Sequence, residues 1–161
     1  MNIFVLDKCP KLAAQQQCDK HCVKMILESA QLLCSAHRVL DGDERADAAG
    51  LYRKTHANHP CAVWVRDSIS NYQWLCSHAL ALAAEYRWRY DRIHKSQSVI
   101  EWCDWHLPSN LPLGTLTPFA QAMPDEYRHA SAVTAYRQYY TAKRSMIDMR
   151  WTAREVPTWL T

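Results

Sequence analysis

The chain has 161 residues, 48% hydrophobic and 22% charged, which suits one packed domain and argues against disorder. A formal net charge of +3 permits nucleic-acid binding without demanding it. Its three glycines form no dinucleotide or phosphate loop, and no run reaches the ~18 apolar residues of a membrane span.

In chain order, MNIFVLD reads either as a short strand or as an extended arm lying on the core. Pro10 ends it and opens a helix over 11–39, which Asp41-Gly42-Asp43 breaks. A short helix over 46–53 follows. The polar loop 55–60 comes next, with Asn58 or His59 capping a helix that runs from Pro60 to about Arg92 and bends at 68–71. Ser96 or Ser98 caps a short helix to about His106, Glu101 fitting a capping box after Ser98. Residues 107–130 hold four prolines and read as a long ordered loop, the kind that is functional or unusually well packed. A final helix over 131–146 carries Tyr136, Tyr139, Tyr140 and Lys143, and 150–161 is an extended aromatic tail. With no repeat and no linker, the prediction is one all-α domain spanning 1–161.

Residues 17–35 hold the densest chemistry. At 100° per residue, Cys18, Cys22, Met25, Ile26, Leu33 and Ala36 form an apolar stripe. Gln17, His21, Lys24, Glu28, Gln31 and Ser35 form a polar line, which reads as a solvated face unless a ligand uses it. Its imidazole, amine and carboxylate lie within about two helical turns. Zinc is disfavoured: Cys18 and Cys22 face the core, His21 points about 100° from Cys22, and no CxxC knuckle occurs. No metal is therefore expected. The seven cysteines read as reduced in a cytoplasmic protein, since the N-terminus lacks a signal peptide's apolar region, and those of this helix read as buried free thiols.

Two further segments suit nucleic acid. Residues 86–95, YRWRYDRIHK, interleave Arg87, Arg89 and Arg92 with Trp and Tyr, offering phosphate pairing and base stacking. As a plain helix end, the same cations would answer the helix dipole. The loop with His56, Asn58 and His59 sits before a helix N-terminus and suits a phosphate, with Arg66 extending that surface. No GxSxG, HExxH or CxxC motif occurs, and no cofactor is implied.

The segment Asp19-Lys20-His21, with Glu28 seven residues after the histidine, carries a resemblance. The chain resembles a set of phage proteins that begin MNIFVLD and continue through a DKH-VKM-LE pattern. It is also distantly similar to the phage endonuclease V type of pyrimidine-dimer DNA glycosylase and lyase. Compatible features follow in order: His59 leading into the helix from Pro60, Met123-Pro-Asp-Glu-Tyr-Arg128 resembling a Pro-x-Glu-Phe-Arg turn, and Val156-Pro-Thr-Trp159.

The resemblance implies a DNA N-glycosylase/lyase. An N-terminal α-amine attacks the sugar's anomeric carbon and forms a Schiff base, while the glutamate moves protons and stabilises the cationic sugar. An α-amine, with a reference pKa of ~8, is chemically suited to this. Carried over, Glu28 is the acid-base group and His21 its orienter or a sugar-phosphate contact. Two departures stand out: residue 2 is Asn where the family exposes Thr, and Leu27 replaces an arginine before the glutamate. The amine is therefore assigned to Met1, with Lys24 in reserve. Lys20, Arg87, Arg89 and Arg92 are assigned to phosphate. The expected partner is DNA, with no membrane, in the cytoplasm of an infected bacterial host if phage-encoded. Two alternatives remain: a base-modification or nucleotide-processing enzyme using the same pocket, and a non-catalytic phage protein that binds nucleic acid or blocks a host factor.

Overall fold

A computed structural model describes residues 1–160. Every regular element in them is helical: α1 Pro10–Gln15, α2 Asp19–Asp41, α3 Asp43–Ala48, α4 Pro60–Val65, α5 Ile69–Tyr90, α6 Gln97–Trp105 and α7 Ala132–Lys143, with 3-10 turns at Asp125–Tyr127 and Thr158–Leu160. The fold is all-α, as expected. The long helices α2 and α5 pack on each other, with α1 and α6 against α5 and α3 and α4 against α2. The predicted apolar stripe of α2 is buried in this core beside Leu75, Leu82 and Ile100. No helix among the described residues is long and apolar enough to cross a membrane.

Residues 1–7 take the arm alternative. Their backbone pairs with side chains instead of a neighbouring strand: Gln17 Nε2 donates to the Ile3 carbonyl (3.0 Å) and Arg137 Nε to the Leu6 carbonyl (2.9 Å). The arm thus lies between α2 and α7, and Ile3, Phe4, Val5 and Leu6 are all buried.

The helix expected over 11–39 is interrupted at 16–18, and side chains from far along the chain explain the break. Arg89 donates to the carbonyls of Gln15 and Gln17, and Trp151 Nε1 donates to that of Gln16. Those carbonyls would otherwise accept bonds from the continuing helix. The helix from Pro60 likewise divides at 66–68, where Ser68 Oγ accepts from Asn71 N and Ile69 N donates to Pro112 O across the long loop. The second short helix begins and ends earlier than 46–53, being α3. The capping box at Ser98 is absent, because Glu101 accepts from Gln97 Nε2 at 2.8 Å and α6 already begins there. The tail expected to be extended instead folds into a turn at 151–154, where Arg154 N donates to the Trp151 carbonyl (3.2 Å) and Ala153 takes φ +56°. Only 155–157 are extended before the last 3-10 turn; Thr161 lies outside the described residues.

The polar line of α2 is largely dry. Gln17, His21, Glu28 and Ser35 are buried, and Lys24 remains exposed. The arm, α7 and loop 51–59 cover what α2 alone would leave wet.

Burial holds the imidazoles of His21, His37 and His78 near a pKa of 4. Each has a neutral partner: the hydroxyls of Tyr140 (2.9 Å) and Tyr72 (2.9 Å), and the Pro10 carbonyl (3.0 Å). An unfolded chain takes up these protons at pH ~6.5, so stability is full above that pH and falls as pH drops toward 4, by up to ~3 kcal/mol per histidine. Urea midpoints should accordingly fall between about pH 7 and pH 5; equal midpoints would show that these histidines titrate normally in the folded protein.

Candidate active site

The site forms where the arm meets α2. Asn2 sets the arm's course: its Oδ1 accepts from Ile3 N (2.8 Å) and Phe4 N (3.2 Å), and its Nδ2 donates to the Ala122 carbonyl (2.8 Å). Short amide side chains favour such local turns. The turn directs Asn2 N–H onto Glu28 Oε2 at 2.8 Å, and the Met1 ammonium lies 3.8 Å from the same oxygen. Phe4 then adopts φ +54°, a left-handed backbone conformation that costs a non-glycine residue ~1 kcal/mol or more. That turn stacks its ring on His21, with centroids 4.4 Å apart.

These groups line a cavity of about 220 Å³, together with Lys24, Tyr139 and Lys143. Lys24 Nζ approaches Glu28 Oε1 at 3.4 Å, so one buried carboxylate faces two cations and a backbone donor. His21 is kept neutral first by burial and then by the charges of Lys143 and Lys24. A proton on Nε2 satisfies its surroundings, with Cys18 N–H donating to the Tyr140 hydroxyl and that hydroxyl donating to Nδ1. An amine, a carboxylate and a neutral imidazole in one recess suit attack on an electrophilic carbon with local proton transfer.

The other predicted residues fall into three settings. His59 caps α4 through Nδ1, which accepts from Cys61 N at 3.2 Å. Its pKa is lowered by burial and further by the positive N-terminal amine, so the 55–60 loop lies within electrostatic reach of the site. Asn58 is exposed on that loop, and Arg66 braces it by donating to the Ala57 and Ala62 carbonyls. Lys20, Arg87 and Arg92 are exposed; Arg92, Tyr86 and Lys95 border a groove of about 450 Å³ against Val23 and Leu27, the residues preceding Lys24 and Glu28.

Arg89 requires a correction. Its side chain is fully buried and bonded to Glu85 (3.2 Å), Asp19 (3.1 Å) and the two carbonyls at the end of α1, leaving no free edge for a phosphate. Trp64 and Trp74 are core residues packed edge to face. Among the described residues, no group of three His, Cys, Asp or Glu converges to hold a metal ion. Asn2, Tyr139 and Lys143 escaped sequence reasoning as site residues. Only the chain's return through the long loop and α7 brings the last two to Glu28.

Arg89→Ala removes the shared partner of two acids and two carbonyls. It should lower unfolding stability by about 3–5 kcal/mol in urea titration. A loss below about 1 kcal/mol, the range of an exposed pair, would contradict this placement.

The family model described as pyrimidine dimer DNA glycosylase matches residues 1–98, more than half of the chain. The matched stretch includes the arm, α2 with His21 and Glu28, and the His59 cap. No curated protein and no solved structure matches. An arm-borne amine beside a buried glutamate thus lies wholly within the matched region, and the chain belongs to the pyrimidine dimer DNA glycosylase family, enzymes that act on DNA.

Proposed function

We propose that residues 1–161 work as one helical domain that excises a damaged pyrimidine base through its N-terminal amine, with Glu28 as the proton-transfer group. The carrying observation is the 3.8 Å separation between the Met1 amine and Glu28 Oε2, inside a cavity that His21 and Tyr139 help to wall. The neutral amine attacks the anomeric carbon, a nitrogen–carbon bond forms, and the glycosidic bond breaks with its electron pair leaving on the base. The amine's surplus proton passes to Glu28, which returns it to the ring oxygen as the sugar ring opens to the imine. In the lyase step Glu28, again a carboxylate, takes a C2′ proton; the C–H electron pair forms the C2′–C3′ double bond and the C3′–O bond breaks, so that the 3′ phosphate leaves with its electron pair. The carboxylate also opposes the positive charge that develops on the sugar, which a buried site strengthens.

Lys24 Nζ, 3.4 Å from the other carboxylate oxygen, is the reserve amine. Its side chain is 67% exposed, which suits a phosphate contact better than a nucleophile sheltered from water. Lys20, Arg87 and Arg92 act as phosphate partners. The groove between Val23, Leu27 and Tyr86 continues the binding surface beside the cavity. Asn58 and His59, on the loop that Arg66 braces, supply further DNA contacts in this reading.

Borohydride reduction of the protein with duplex DNA carrying an abasic site tests the chemistry. Wild-type protein should yield a covalent adduct, and Glu28→Gln should slow its formation by about 10²–10⁴-fold. DNA binding with no adduct, unaffected by Glu28→Gln, would overturn this reading and leave a binding protein.

A further inference from the structure

The matched region ends at residue 98, yet the cavity around Glu28 takes part of its wall from α7. Lys143 is the cation there. Its Nζ lies 4.7 Å from the centroid of Tyr139 and 5.8 Å from that of Phe4, so two ring faces hold the side chain over the recess. A lysine in the last turn of a helix answers the dipole, but that does not account for an ammonium steered over rings from two separate segments. Tyr139 in turn meets Tyr127 at 5.3 Å, which ties this wall to the long loop.

Charge bookkeeping singles Lys143 out. Lys24 and the Met1 amine both lie within 4 Å of Glu28, and Arg137, on the same helix as Lys143, pairs with Asp7. Among the described residues no carboxylate lies within ion-pair distance of Lys143. Its field nonetheless reaches inward, as the second cause after burial of the low pKa of His21. One carboxylate thus shares a small recess with three cationic groups, an imbalance that an anion entering with the substrate would correct.

We infer that Lys143 is a substrate-positioning residue that binds a phosphate flanking the lesion sugar, holding the anomeric carbon against the N-terminal amine. This deepens the amine-and-Glu28 reading and rests on it. The phosphate adds a charge-assisted bond to the partly desolvated ammonium without separating it from its rings. Such a contact fixes position without reading the base, so it should act equally on any nucleotide in the site.

The test uses full-length protein and duplex DNA with a non-cleavable tetrahydrofuran abasic analogue, so binding is measured without chemistry. Lys143→Met keeps the methylene stem between the rings and removes the charge. It should bind about tenfold more weakly at low salt, and the slope of log affinity against log salt should flatten by about 0.9. Lys143→Arg should restore both. A methylphosphonate at a flanking phosphate should weaken the wild type but not Lys143→Met, a non-additivity that general destabilisation would not produce. In the unmutated protein, the same DNA should shield Lys143 from an amine-reactive ester, read by peptide mass spectrometry. Wild-type affinity and slope in Lys143→Met, or Lys143 labelled equally with and without DNA, overturns the inference. Failure of borohydride trapping in the wild type would instead strike the amine chemistry and leave these binding results standing.

Discussion

A buried carboxylate needs partners, because an unpaired charge away from water is among the costliest features a fold can carry. Glu28 projects from the middle of α2 and is buried, and its partners come from the N-terminal arm and from its own helix. Asn2 N–H and the Met1 amine reach one oxygen and Lys24 the other. The arm gains these bonds only if it turns at Asn2 and strains Phe4, and the turn in turn requires the Ala122 carbonyl from the long loop. The groups that make Glu28 tolerable in the interior include the amine that the proposed Schiff-base mechanism uses. In that proposal, stability and chemistry share contacts.

A second ionic cluster keeps the first in register. Glu85 and Arg89 on α5 join Asp19 at the start of α2 and Arg154 in the tail, while Arg89 also closes the end of α1. Asp19 further accepts from Thr152. The cluster fixes where α2 begins, and therefore how far His21 and Glu28 stand from the arm. Arg89 serves the site by placing a helix and makes no contact with the cavity around Glu28.

Much of this was legible in the linear sequence wherever local periodicity decides the outcome. The helical class, the buried stripe of α2 and the shared line of His21 and Glu28 all follow from the 3.6-residue repeat. The repeat says nothing about what covers a face. A polar line that should be wet is dry because the arm and α7 lie over it, and their paths depend on tertiary bonds such as Arg137 to the Leu6 carbonyl. The break at 16–18 was equally hidden, its cause sitting about 70 residues away in Arg89 and 135 away in Trp151. Arg89 looked like its neighbours Arg87 and Arg92 because composition cannot separate a buried guanidinium from an exposed one. Lys143 was visible only as a helix-end lysine until the fold carried it to the cavity.

The most direct test of the central claim is to locate the sugar on the protein after borohydride reduction with abasic DNA, by proteolysis and tandem mass spectrometry. The geometry predicts a reduced adduct on the α-amine of the N-terminal peptide, the nitrogen poised against Glu28. An adduct confined to Lys24, Lys143 or any other side-chain amine would contradict it and move the chemistry off the arm.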